Sequence, residues 1–139
     1  MIQREIYTPP SGLPQVNPLA PEMFQALGEE KIRELVRVFY MHIAKSSIRN
    51  MFPEDLLESE TKAADFMVQI MGGPSYYMQK NGPARMRMRH FPFEIDEKAR
   101  RAWLACYKNA LSEIEIGEEE KKKIWDFLVS FSSWMVNKK

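Results

Sequence analysis

The chain has a single cysteine, Cys106, and only two histidines, His42 and His90. One cysteine excludes an intramolecular disulfide and fits a reducing cytoplasm. These three side chains are too few for a tetrahedral structural zinc site. No apolar run approaches the roughly 20 residues of a membrane span. The N-terminal stretch MIQREIYTPP lacks the apolar core of a secretory signal. Charge of one sign is not in excess either: 20 Lys and Arg stand interspersed against 19 Asp and Glu, for a formal net charge of +1. That argues against a broad nucleic-acid surface. There is no Gly-rich phosphate loop, because Gly72-Gly73-Pro74 has neither the spacing nor a preceding strand. The expectation is a soluble cytoplasmic domain that binds neither membrane nor nucleic acid.

What is present is helical. The chain has 139 residues, 45% of them hydrophobic, enough for one domain with a real core. Residues 1–21 hold five of the nine prolines (Pro9, Pro10, Pro14, Pro18, Pro21) and no helical period, which predicts an extended or partly ordered arm. A short helix is expected from Pro21 to Gly28. Ile32, Leu35, Val36, Phe39, Tyr40 and Ile43 form a helical stripe. Residues 46–57 form a corner around Pro53. Ala63, Phe66, Met67 and Ile70 make a second stripe, stopped by Gly72-Gly73-Pro74. Residues 74–86 read as irregular, and a short helix holds Met86 to His90 before Pro92. Asp96 is the expected N-cap of a third stripe: Ala99, Ala102, Trp103, Cys106, Tyr107, Ala110, Leu111, Ile114. After Gly117 come Ile124, Phe127, Leu128, Phe131 and Met135. No strand-like alternation competes, so the fold class is all-α.

Few residues offer chemistry. The run Glu118-Glu119-Glu120 then Lys121-Lys122-Lys123 reads as a solvated helix start. His42 lies about 200° around its helix from the inward Tyr40, which sends it towards solvent. His90 ends a short helix among arginines and phenylalanines. It is either an ordinary helix C-terminal histidine favoured by the dipole or the one protein ligand that haem iron requires. Tyr40 and Trp103 sit on apolar stripes and need a partner for their polar hydrogen once buried; a core carbonyl would serve. The ten methionines suit irregular gaps, around a bulky ligand or in an ordinary core.

The stretch Gly72-Gly73-Pro74-Ser75-Tyr76-Tyr77, continuing through Arg85-Met86-Arg87-Met88-Arg89-His90-Phe91-Pro92-Phe93 to Ala102-Trp103-Leu104-Ala105-Cys106, resembles the group II truncated haemoglobins. Phe39-Tyr40 and Phe52-Pro53-Glu54-Asp55-Leu56 are similar to the same family. The resemblance covers about residues 28–136. It implies a truncated globin fold, a two-over-two α-helical sandwich of helices B/E and G/H, over residues 22–139, with residues 1–21 as an N-terminal extension. The arm is longer than the family's usual one, a single Gly28 stands where a glycine pair is usual, and Ala63 is small where many relatives carry Leu or Gln.

The resemblance also implies a site. His90 is the metal ligand to the iron of haem b. Phe52, Lys62, Phe66, Met67, Tyr77, Arg89, His90, Phe93 and Trp103 bind the cofactor, with Lys62 and Arg89 assigned to the propionates. Tyr40, Phe52, Ser59, Ala63 and Trp103 line the distal ligand pocket. The implied function is binding of O2, CO, NO or another small ligand at a five-coordinate iron, in a monomer or homodimer. The alternative is a haem redox enzyme, reducing peroxide or oxidising nitric oxide, with a separate reductase as electron donor. A helical interaction module without a cofactor is the rival from another class, and a Soret band separates it from both.

Overall fold

The computed structural model describes residues 4–10, 12, 19 and 21–139. Pro14 and Pro18, with the rest of residues 13–18, lie outside the described residues. Residues 5–9 run without regular secondary structure. The helices are α1 (Glu22–Leu27), α2 (Glu29–Ile43), α3 (Leu57–Ile70), α4 (Tyr76–Asn81), α5 (Met86–His90), α6 (Glu97–Glu113) and α7 (Glu118–Met135), with a 3₁₀ turn at Arg49–Met51. None is long and apolar enough to cross a membrane.

The apolar stripes account for most of this. In α2 the buried residues are Ile32, Leu35, Val36, Phe39, Tyr40 and Ile43, the six expected from the 3.6 period. Beyond α2, Ser46 Oγ donates to the Ile43 carbonyl, and Arg49 closes the corner by donating to the carbonyls of Pro53 (2.9 Å) and Glu54 (2.7 Å). Asp96 caps α6, its Oδ1 accepting from Ala99 N at 2.8 Å. At the start of α7, Lys121 and Lys123 pair with Glu118 and Glu119. The helices pack in two layers. α2 lies against α3 and α6, α6 against α7, while α4 rests on α3 and α5 on α7.

Two features differ from the sequence reading. Residues 76–81 are helical, not irregular. Six residues carry too little periodicity to reveal a helix, and this one is held from outside: Tyr77 is buried, the Met78 amide donates to Gln69 Oε1, and Lys80 reaches Asp65. The second difference is in α3. Its fully buried residues are Ala64, Asp65, Met67 and Val68, while Ala63, Phe66 and Ile70 are half-buried. Of the expected stripe, Met67 lies in the innermost row, while Ala63, Phe66 and Ile70 form the flank of the helix. Large half-buried apolar side chains on a flank are what a cofactor-lined surface requires.

Asp65 is 1% exposed. It is neutralised from two sides, by Arg33 of α2 at 2.9 Å and Lys80 of α4 at 3.0 Å. Arg33 also donates to Glu29, which accepts from the Tyr76 hydroxyl. One carboxylate so ties three helices together. The Gly-Gly-Pro stop has a steric cause as well. A Cβ on Gly72 would collide with Pro21 Cα, and one on Gly73 would come within 2.7 Å of Val68 Cγ1 and of the Phe24 ring. Only glycines let α1 lie this close to the end of α3.

Candidate haem site

The site assembles on aromatic contacts between the two layers. Phe39 of α2 is its hub, stacked on Tyr107 at 3.8 Å between ring centroids and edge-on to Tyr40 (5.0 Å) and Trp103 (5.8 Å). Phe52 from the corner meets Tyr40 edge-on at 5.8 Å. From Trp103 the chain of rings runs through Phe131 to Phe66 and on to Tyr77. Offset and T-shaped pairs of this kind contribute beyond area burial. Five of the expected residues, Tyr40, Phe52, Phe66, Tyr77 and Trp103, are thus one connected set. Phe39, Tyr107 and Phe131 complete it. All three lie on the predicted stripes, Tyr107 one turn beyond Trp103, and that spacing was the available signal.

Tyr40, Tyr77, Tyr107 and Trp103 bring four polar hydrogens into this set. No fully buried side-chain polar atom lacks a partner among the described residues. Tyr40 Oη and Trp103 Nε1 make no hydrogen bond with one another or with any other described residue. Burial holds the Tyr40 hydroxyl well above the usual phenol range, with the charge of Glu60 adding to the effect. It therefore remains a protonated donor across physiological pH.

His90 closes α5. Its Nδ1 lies 2.6 Å from the Met86 carbonyl oxygen. A carbonyl only accepts, so Nδ1 bears the proton and Nε2 keeps its lone pair. Burial lowers the imidazole's pKa, and the Met86 bond acts in the opposite sense. A neutral ring with a free Nε2 is the form that ligates a metal, and Nε2 has no partner among the described residues. The helix that carries it is preceded by Arg85, held at a left-handed φ of 41°.

The remaining expected residues are more peripheral. Met67 is buried, Ser59 and Ala63 are half-buried one turn apart on α3, and Phe93 is 47% exposed. Lys62 is exposed and paired with Glu58 at 3.2 Å. Arg89 donates through Nε and Nη2 to the carbonyls of Asn81, Pro83 and Ala84 and lies over the Tyr77 ring. His42 is half-exposed, its Nε2 2.6 Å from Glu113 Oε2. Cys106 is buried, and burial pushes its thiol up, so it is a poor nucleophile. One imidazole nitrogen without a partner among the described residues and an apolar aromatic flank fit a flat apolar cofactor with a single protein ligand.

Comparison with known proteins agrees with this geometry. The model of the bacterial-like globin family matches residues 22–137. The group 2 truncated hemoglobin YjbI of Bacillus subtilis is 34% identical over 115 residues, covering 82% of this chain and 87% of that protein. The phosphate-bound structure of Hell's gate globin IV superposes with a TM-score of 0.87 at 40% identity, over 91% of this chain and 81% of that one. The truncated oxygen-avid haemoglobin from Bacillus subtilis gives 0.80 at 34% identity, over 83% and 98%. With the match spanning nearly all of residues 22–137 and the two-over-two fold in common, the chain belongs to the bacterial-like globins, and within them to the group II truncated haemoglobins, which are haem-binding proteins.

Proposed function

We propose that the chain binds haem b with His90 Nε2 as the protein ligand to iron, and takes O2 or another small ligand beside Tyr40 and Trp103. The observation that carries this is the 2.6 Å separation of His90 Nδ1 from the Met86 carbonyl. It orients the ring, selects the tautomer and leaves Nε2 to coordinate, as carbonyls bonded to the other ring nitrogen do for metal-bound histidines. Haem, when bound, supplies an iron that reversibly takes diatomic ligands.

The chain's own residues do the rest. Phe52, Phe66, Met67, Tyr77 and Phe93 provide apolar contact and keep water from the ring. Lys62 and Arg89 meet the propionates. The Lys62–Glu58 pair is exposed, and such pairs are weak, so Lys62 can exchange Glu58 for a propionate. Tyr40 Oη and Trp103 Nε1 donate to a ligand that acquires partial negative charge. The relative from Bacillus subtilis whose structure is described as oxygen-avid supports O2 as the ligand.

Optical spectra of the purified protein in ferric, ferrous and oxygenated forms test this reading. A Soret band with a five-coordinate ferrous spectrum is expected, and His90→Ala should lose haem or hold it only through apolar contacts. A His90→Ala protein with the wild-type ferrous spectrum would overturn the assignment.

A further inference from the structure

Helix α5 has five residues, far fewer than an isolated helix needs to persist. Something outside it must hold His90 in place. Two arginines do. Arg87, within α5, donates through Nη1 to the carbonyls of Trp134 and Val136 at the end of α7, and through Nη2 to the Tyr7 carbonyl at 3.0 Å. Its guanidinium also lies 4.3 Å from the Trp134 ring centroid.

The second arginine comes from the other end of the chain. Arg4 Nη2 lies 2.8 Å from both the Phe91 and Phe93 carbonyl oxygens and 2.7 Å from Asn137 Oδ1. Arg4 Nη1 donates to the Asn137 carbonyl at 3.0 Å, which also accepts from the Tyr7 amide. Asn137 is completely buried. Its Nδ2 donates to the His90 carbonyl at 3.0 Å, and its Oδ1 accepts from the Ile95 amide. The last carbonyls of a helix have no partners within it. Here they are met by an asparagine that is itself clamped by an arginine 133 residues away.

We infer that Arg4 and Asn137 are positioning residues for His90: the N-terminal segment and the residues after α7 form a bracket that fixes the His90 peptide, and so sets the bond His90 Nε2 makes to haem iron. The inference rests on the proposed ligation by His90. Arg4 lies outside residues 22–137 matched by the family model, so the bracket makes the arm part of the haem site rather than an appendage. The chemistry is directional. Asn137 has a single amide to offer, and with Oδ1 held by Arg4 and Ile95 its Nδ2 can point only at the His90 carbonyl. Loss of Arg4 leaves Oδ1 held by the Ile95 amide alone and releases the Phe91 and Phe93 carbonyls at the same time.

The test compares full-length wild type, Arg4→Ala, Arg4→Lys and His90→Ala. In the haem-loaded ferrous proteins the readouts are the iron–histidine stretching band by resonance Raman and the rate of haem transfer to an acceptor apoglobin. In the haem-free chains the readout is exchange of the Phe93 amide, which is bonded to the His90 carbonyl. Arg4→Ala should shift the band and speed haem transfer by up to about ten-fold, below the effect of removing a group bonded directly to a ligating ring, because Arg4 acts through Asn137. It should also speed amide exchange without haem. Arg4→Lys, which can still reach one carbonyl, should recover part of each change. If Arg4→Ala lowers the melting temperature but leaves the band and the transfer rate at wild-type values, the bracket is only a tie between chain ends and the inference is wrong. If the histidine band is missing from wild type or survives in His90→Ala, the ligation itself has failed, and the bracket with it.

Discussion

His90 engages the Met86 carbonyl through Nδ1, whereas His42 engages Glu113 through Nε2. The two histidines are thereby divided by chemistry as well as by place. The Nε2 of His90 has no partner among the described residues, whereas His42 spends the corresponding atom on a surface carboxylate. His42→Gln should therefore leave the ferrous spectrum unchanged. Both members of the pair are accessible, and exposed ion pairs contribute about 0–1 kcal/mol, so the melting free energy should fall by no more than about 1 kcal/mol. A changed Soret band in His42→Gln would place that residue in the haem site.

The Asp65 triad makes a pH-dependent contribution. Burial alone would raise the Asp65 carboxyl, but the hydrogen bonds from Arg33 and Lys80 outweigh it and hold the group below the usual carboxylate range. A carboxyl depressed in the folded state stabilises fully above its unfolded value, near 3.9, and loses that contribution as pH falls through the folded value. Asp65→Asn should cost about 1.5–3 kcal/mol at neutral pH, towards the low end because Lys80 is half in solvent. Denaturant melts of the haem-free chains from pH 7 to pH 2 check this. The two curves should lie a constant distance apart above about pH 5 and converge at lower pH. A gap that stays constant to pH 2 would refute the electrostatic account.

Much of this architecture can be read along the chain because it is local. The 3.6 period places all six buried residues of α2, and the Asp96 side chain marks the start of α6. His90, Tyr40 and Trp103 are expected site residues for another reason, the resemblance carried by the joint spacing of the Gly-Gly-Pro, Arg-x-Arg-His and Ala-Trp-Leu segments. What was not legible depends on partners distant in sequence. Helix α4 exists because Lys80 finds Asp65 and Met78 finds Gln69. A buried Asp65 in the middle of an amphipathic helix looks like a solvent-facing acid until Arg33 is seen beside it. The Arg4–Asn137–His90 connection joins the two ends of the chain, and no window of sequence contains it.

Ala63 and Ser59 stand one turn apart on the flank of α3, small and half-buried. Their size should admit ligands somewhat larger than O2, such as peroxide or hydrosulfide. Ala63→Leu should slow association of hydrosulfide with the ferric protein while leaving the melting temperature close to wild type, since the position is not tightly enclosed. Stopped-flow mixing measures this directly. Equal association rates in the two proteins would show that entry does not pass this turn, with Phe66 as the alternative barrier.

The ligand's retention should depend on Tyr40 and Trp103 together. They belong to different helices, yet both rest on the same Phe39 ring, at 5.0 and 5.8 Å. That shared support fixes their relative placement, and the proposed function has both donate to one ligand. A hydrogen bond to a partly charged acceptor in a dry site is worth roughly 1.5–3 kcal/mol, and about 1.4 kcal/mol corresponds to a factor of ten in rate. Tyr40→Phe or Trp103→Phe should therefore speed O2 dissociation by roughly ten- to a hundred-fold. Because the two donors share an acceptor, the double variant should differ from the sum of the singles. Carbon monoxide is less polar when bound and serves as the control, since its dissociation should respond less to either change. If O2 leaves both single variants at the wild-type rate, or if carbon monoxide responds as strongly as O2, the two side chains act through shape alone and the hydrogen-bond account fails.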